Sequence, residues 1–234
     1  MEGIAPVSQA ISAEQPLEYI YYSPEQLTSP FAQQLVADQQ RKGIPCHALD
    51  RKTFSAISAK ENPVGLLAVG RQKTTDLPSV VIEVAPSQPT VALVTPQDPG
   101  NVGTILRTMD AIGKSTLFLL EGGVDAYHPE CLRASMGAAF HHTIVTADFA
   151  TFLTWSHNQK AYLVGTSARG GKEYREWHRD PEVTTILLLG NEQTGLTPPQ
   201  QQACHAMLRL PMRGRVSSLN IAVAAGILLY HLYP

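Results

Sequence analysis

The sequence predicts an α/β protein in two parts: a small α/β unit, then a larger domain built on a mainly parallel sheet with helices on both faces. Three observations predict it. Apolar runs of about five residues recur along the chain, the length expected of strands buried on both sides. Between them lie stretches whose apolar residues return at helical spacing. Glycine, proline and short polar loops punctuate the changes.

The elements follow in order. Leu17–Tyr22 reads as a strand. Ser29-Pro30 is an N-cap with proline at the first helical position, and Phe31, Leu35 and Val36 give the stripe of the helix that Gly43 ends. A short strand at Cys46–Leu49, a helix near Phe54–Ala59 and a strand at Val64–Val69 complete the first part. Pro78, Pro86 and Pro89, among Ser and Thr, mark a linker over 76–89 that separates a domain of residues 1–75 from one of residues 90–234. From there strands are expected at Val91–Thr95, Ser115–Leu120, His142–Val145, Ala161–Gly165 and Thr185–Leu189, with a short one before Leu210. A helix runs from about Asn101 to just before Gly113. In such a sheet ligands bind beyond the carboxyl ends of the strands, so the loops after strands are where chemistry is sought.

Bulk properties narrow the class. Of 234 residues 44% are hydrophobic and 16% charged, which excludes disorder. The longest apolar stretch, in the last helix, is too short to span a bilayer, and the start has no secretory pattern. Cys46, Cys131 and Cys204 are scattered, with no C-x-x-C pair, so neither a disulfide framework nor a zinc site is expected and a cytoplasmic setting is. Net charge is −2, unlike a general nucleic-acid coat. Two basic runs stand out, Arg169, Lys172, Arg175 and Arg179, then Arg209, Arg213 and Arg215; as charge alone they read as solvated faces. The adjacent His141 and His142 lack partners at ligand spacing and read as structural.

Three post-strand loops remain. In TPQDPGNVGTILRTMDAIG, Asp98-Pro99-Gly100 reads as a turn and Asn101 as the N-cap of a helix whose apolar face is Val102, Ile105, Leu106, Met109 and Ile112. Arg107 leans back over the bare turn at Gly103, which suits a phosphate at a helix start, or is simply an exposed arginine. In ILLLGNEQTGLTPPQ, Glu192 sits between Gly190 and Gly195, and Thr197-Pro198-Pro199-Gln200 reads as a capping box. Here the glycines either admit a ligand to backbone amides or serve a turn with positive φ. In LPMRGRVSSLNIAVAAGILLY, Ser217, Ser218 and Asn220 precede a helix apolar all round, which must be buried in the protein or in an interface. None of these loops carries the G-x-G-x-x-G, G-x-x-x-x-G-K-[ST] or G-x-S-x-G pattern.

Taken in order, NVGTILRT, LLLGNEQTGL and LPMRGRVSSLNIAVAAGILLY resemble the three signature motifs of the SpoU (TrmH-like) RNA ribose methyltransferases of the SPOUT superfamily; HPECLRASMGAAFH and LVGTSARGGKEY fit as well. The likeness covers roughly residues 90–232, and the first part resembles, more loosely, an L30e-like RNA-binding domain. The resemblance implies a C-terminal domain with a trefoil knot, S-adenosyl-L-methionine as cofactor, RNA (ribosomal above all) as substrate, no metal, and a homodimer. It places Thr166, Gly190, Leu210, Met212 and Leu219 at the cofactor, and makes Asn101, Arg107, Glu192, Ser218 and Asn220 the catalytic set. Guanidinium stays protonated in proteins, so Arg107 is expected to grip a phosphate and stabilise charge on the 2′-oxygen, across the dimer, rather than act as base. Glu192 is expected to hold its loop or Asn101. The alternatives are transfer RNA as substrate, methylation of a base, or an RNA-binding or ribosome-assembly factor without catalysis. Seven Lys/Arg against nine Asp/Glu in residues 1–88 argue against tight, salt-sensitive RNA binding by the first part alone, leaving recognition by shape or of single strands.

Overall fold

A computed structural model describes residues 1–73, 75–82, 88–113, 115–168 and 170–233. Its two units are Met1–Lys73 and Thr74–Pro234.

The first unit contains α1 (Ile4–Ser12), β1 (Leu17–Tyr22), α2 (Pro30–Arg41), β2 (Cys46–Ala48), α3 (Arg51–Ile57) and β3 (Leu66–Gly70). The strands form a sheet in the order β2-β1-β3, with β2 parallel and β3 antiparallel to β1. The Ser29 hydroxyl accepts from the Ala32 amide, capping α2 where the sequence places its start. One face of the sheet, with Ile20, Leu66 and Ala68, closes on Val7 of α1 and Ala32, Leu35 and Val36 of α2. α1 is not expected from the sequence, because it buries only Val7 and Ala10 and its N-cap, Gly3, offers no side-chain acceptor.

The second unit contains β4 (Thr90–Val94), α4 (Pro99–Ile112), β5 (Thr116–Leu120), α5 (Pro129–Ala134), β6 (Thr143–Ala147), α6 (Phe149–Asn158), β7 (Tyr162–Thr166), β8 (Lys172–Glu173), β9 (Thr185–Leu189), α7 (Pro198–Gln202), β10 (Ala206–Arg209) and α8 (Ile221–Leu232). Its seven strands lie in the order β6-β5-β4-β9-β7-β10-β8, every pairing parallel. All residues of β4 and β9 are buried, which is why these strands read as unbroken apolar runs rather than alternating ones. On one face Ala92, Val94, Phe118, Ile186 and Leu188 pack against Phe152 and Trp155 of α6, each large side chain contributing roughly 1.5–3 kcal/mol by burial. Leu77 and Val80, from the stretch read as a linker, are buried in the same cluster; residues 83–87 of that stretch lie outside the described residues. The alternate residues of β4, β5 and β9 are buried on the other face, where α8 meets β9 and α4 packs beside α8.

No helix among the described residues is long and apolar enough to cross a membrane.

Candidate active site

Chain order and sheet order part company at β4. The chain first steps outward through β5 and β6, then crosses to β7, and β9 later fills the place between β4 and β7. Such a switch point leaves a crevice beyond the carboxyl ends of the strands. A cavity of about 680 Å³ lies there, walled by the loops after β7, β9 and β10. Thr166, Gly190, Leu210, Met212 and Leu219 all line it, and so do Glu192 and Ser218. Asn101, Arg107 and Asn220 are not among the lining residues.

The loop after β9 is rigid for local reasons. A Cβ on Gly190 would meet the backbone of Gly195 and Leu196 at 2.2 and 2.3 Å, so this glycine is required by the loop folding onto itself rather than by a ligand. Gly195 has φ of +69° with open space around it, the turn that glycine serves at least cost. Between them the Asn191 side-chain oxygen accepts from the Gln193 and Thr194 amides (2.9 and 3.2 Å). The loop is tied to the end of β4 twice. Asn191 Nδ2 donates to the Thr95 carbonyl at 2.9 Å, and the Gln97 amide donates to both Glu192 carboxylate oxygens, at 3.3 and 3.2 Å. Glu192 therefore holds the loops together, but through Gln97 and not through Asn101. Thr95 itself has φ of +48°, a left-handed conformation that costs a β-branched residue on the order of 1–3 kcal/mol. The sequence reading missed Thr95, Gln97 and Asn191; only the asparagine beside Glu192 in a glycine-bounded loop hinted at them.

The starts of α4 and α8 form the second half of the site. Asp98, not Asn101, caps α4: its carboxylate accepts from the Asn101 amide at 3.0 Å, and Pro99 opens the first turn. Asp98-Pro99-Gly100 is thus the start of the helix and not a turn before it. Asn101 is freed to reach outward, and its side-chain oxygen accepts from Asn220 Nδ2 at 2.9 Å. Asn220, rather than a serine, caps α8, its oxygen accepting from the Ala222 and Val223 amides at 2.9 and 3.3 Å. Farther along, a Cβ on Gly226 would sit 3.9 Å from Thr108. Asn101 opposite Asn220 and Thr108 opposite Gly226 set the two helices side by side and parallel.

Gly103 is bare because α5 covers it; a Cβ there would lie 2.5 Å from the Cys131 carbonyl and 2.7 Å from Ala134 Cβ. Arg107, one turn on, is exposed and does not share that buried ground. The last helix is also less buried than its composition suggests: Val223, Ile227 and Tyr230, at i, i+4 and i+7, are exposed, and Val216 and Leu219 just before it are exposed too.

The surrounding charges are sorted by contact. Arg175 pairs with Glu173 at 3.1 Å and lies over the Tyr174 ring, and Arg179 lies over Tyr233, so part of this basic run is engaged rather than solvated. Arg169 lies outside the described residues. Arg213 and Arg215 are exposed. Burial pushes the Cys204 thiol up to about 11; burial, and then the Asp125 carboxylate, push Cys131 up to about 12. Neither is a thiolate nucleophile at neutral pH. Among the described residues no three His, Cys, Asp or Glu side chains are grouped to hold a metal ion.

Comparison with known proteins gives this arrangement its relatives. The profile of the SpoU rRNA methylase family matches residues 88–230. The chain is similar to the 23S rRNA (guanosine(2553)-2′-O)-methyltransferase RlmP of Bacillus subtilis, 32% identical over 85% of this chain and 79% of that one. It is 29% identical to the 23S rRNA (uridine(2479)-2′-O)-methyltransferase of Streptomyces viridochromogenes, over 97% of this chain and 79% of the relative. Among solved structures, the AdoMet-bound rRNA methyltransferase from Sinorhizobium meliloti superposes with a TM-score of 0.85 at 31% identity, over 99% of this chain and 85% of that one. With a family profile spanning the whole parallel sheet, and relatives alike in both sequence and fold, the chain belongs to the SpoU rRNA methylase family.

Proposed function

We propose that this protein transfers a methyl group from S-adenosyl-L-methionine to a ribose 2′-hydroxyl of ribosomal RNA, in the cytoplasm. The observation that carries the reading is the convergence of three loops, from distant parts of the chain, on one cavity at the switch point of the sheet.

The cavity fits the cofactor. Its volume lies within the range of small-molecule sites. Leu189, Leu208, Leu210 and Leu228 offer apolar ground for a purine, while the loop backbones after β7 and β9 offer donors and acceptors to polar groups. Among the described lining residues the only charged side chain is Glu192, which suits a cationic ligand better than a phosphate-bearing dinucleotide. Thr166, Gly190, Leu210, Met212 and Leu219 would hold it. When bound, S-adenosylmethionine supplies a methyl group on a sulfonium, open to in-line displacement.

The chain's own residues then have to orient a ribose and stabilise its oxygen. Asn101 and Asn220, locked to one another at the helix starts and outside the cavity lining, orient a ribose from beyond it, with Ser218 on the cavity wall. Arg107 grips an adjacent phosphate through its fork and stabilises charge developing on the 2′-oxygen. Glu192 keeps the loops after β4 and β9 in register through Gln97.

A second copy of the chain completes the site. The exposed apolar stripe of Val223, Ile227 and Tyr230, continued by Leu219 and Val216, is a self-complementary surface for a homodimer, and Arg107 serves the partner's cavity. The segment before α8, which shares the cavity with the loops after β7 and β9, forms a trefoil knot in this reading. Residues 1–75 act as an L30e-like RNA-binding domain.

The test is to incubate the protein with methyl-labelled S-adenosylmethionine and unmodified ribosomal RNA, free and in ribosomal particles, and to identify the labelled nucleoside. Label in an alkali-resistant dinucleotide is expected. Label on a base, or on transfer RNA alone, overturns the reading.

A further inference from the structure

We propose that the open face of the first unit's sheet is a stacking platform for unpaired RNA bases. The face opposite the core carries Tyr19 and Tyr21 from β1, His47 from β2, and Leu67 and Val69 from β3. Register makes them neighbours: Tyr21 pairs with His47 on one side and with Leu67 on the other, and Tyr19 pairs with Val69. The three rings form one cluster. Tyr21 and His47 stack at 5.5 Å with 28° between planes, and Tyr19 lies 6.4 Å from Tyr21 and 6.2 Å from His47, tilted by 30° and 35°. The face is open in part: Tyr19 is 42% exposed, Val69 40% exposed and His47 exposed, with Tyr21 and Leu67 half-buried between them, in a sheet whose other face is occupied.

The ring chemistry favours bases. Phenol and imidazole rings combine a π-face with polar edges, as base stacking and base-edge hydrogen bonding require. Charge is placed for a backbone running along β1. Arg71 follows β3 at the Leu17 end, and Arg51 and Lys52 open α3 just past the Tyr22 end; all three are exposed. Arg71 gives only its Nε to Glu18, at 2.6 Å. The unit as a whole is balanced, with seven Lys/Arg and seven Asp/Glu in residues 1–73. Affinity here must therefore come from stacking more than from phosphate neutralisation, and its salt dependence is shallow. The platform rests on the reading that this protein acts on RNA, and supplies the feature by which an unpaired loop, rather than a helix, is selected.

Fluorescence anisotropy of the full-length protein with a labelled single-stranded RNA of about eight nucleotides tests it. The wild type is expected to bind with a log–log salt slope of about 2, from up to three phosphate contacts. Tyr19→Ala combined with His47→Ala should weaken binding about tenfold or more, while Tyr19→Trp keeps it and shows that the face still folds. With ribosomal RNA as methyl acceptor, the double variant should raise KM and leave kcat and cofactor affinity unchanged. Unchanged oligonucleotide affinity in the double variant overturns the platform. So does a change in its sedimentation mass, which assigns the face to a second copy of the chain. Oligonucleotide binding through these rings without any methyl transfer sinks the methyltransferase reading and leaves the platform standing; methyl transfer without oligonucleotide binding does the reverse.

Discussion

Asn220 does two jobs with one amide: its oxygen caps α8, and its nitrogen donates to the side-chain oxygen of Asn101, on the helix alongside. The two jobs separate by substitution. Asn220→Asp keeps the cap and loses the donor; Asn220→Ala loses both. Thermal unfolding should show Asn220→Asp near wild type and Asn220→Ala lower by about 2–4 °C, the shift expected for about 1 kcal/mol of lost capping in a chain of this size. Methyl transfer should fall sharply in both. An active Asn220→Asp enzyme would show that the tie to Asn101 is dispensable.

Arg107 is exposed, so its replacement should leave stability untouched and report on chemistry. Arg107→Lys retains charge and loses the bidentate fork. A drop of about a hundredfold in kcat/KM is expected, the scale of losing a donor to a developing oxyanion. Near-normal turnover would sink the phosphate-gripping role.

The apolar stripe of α8 makes the dimer breakable at one position. Ile227→Asp places a carboxylate in its middle, on a helix whose inner face, Ala225, Leu228 and Leu229, is undisturbed. Sedimentation should show a monomer with unchanged circular dichroism, and methyl transfer should be lost. A fully active monomer would remove the need for Arg107 to act across the interface.

His142 ties three elements together far from the cavity. Its Nδ1 accepts from the Ser115 amide at 3.2 Å and lies 2.8 Å from the Ser115 hydroxyl. Its Nε2 is 3.2 Å from an Asp110 oxygen, within ion-pair reach but without the alignment of a hydrogen bond. Burial holds the imidazole below its ordinary value of 6.5; Asp110 opposes the shift and His141 adds to it. The folded state thus prefers the neutral ring, and stability from this site is fully present above about pH 6.5 and is lost as pH falls below it. Denaturation midpoints measured downward from pH 7 should decline, and the decline should flatten in His142→Gln.

Thr95 sits at φ +48° because two hydrogen bonds, from its own amide to Leu120 and from Asn191 to its carbonyl, over-determine it. Thr95→Asn, a residue that tolerates this conformation, should raise the melting temperature by a few degrees without loss of cofactor binding. A lower melting temperature would mean that the threonine side chain matters more than the strain.

Legibility in the sequence followed burial. β4 and β9 were plain because strands buried on both faces leave nothing polar to blur them. All five residues that the family resemblance places at the cofactor line one cavity, whereas strand ends and glycines by themselves pointed only to the loops that build it. What stayed hidden depended on pairings across the chain. Asp98 and Asn101 are equally good caps by composition; the sequence suggested Asn101, and the proline at the first helical position, Pro99, fits only the start at Asp98. Gly103 looked like room for a ligand until α5 was seen to fill it. The exposed stripe of α8 cannot be read from a segment apolar on every side.

The strand order has a consequence for how the protein is made. β4 is finished at Val94, but its neighbour β9 begins only at Thr185, about 90 residues later. At synthesis speeds of roughly 5–20 residues per second, the growing chain waits on the order of 5–20 s with the inner edge of β4 unpaired. That edge belongs to a strand buried along its whole length, the kind most prone to pair with the wrong chain. A nascent protein of this topology is exposed to aggregation until its last third emerges, and its demand for chaperones should rise with any pause in translation between residues 95 and 184.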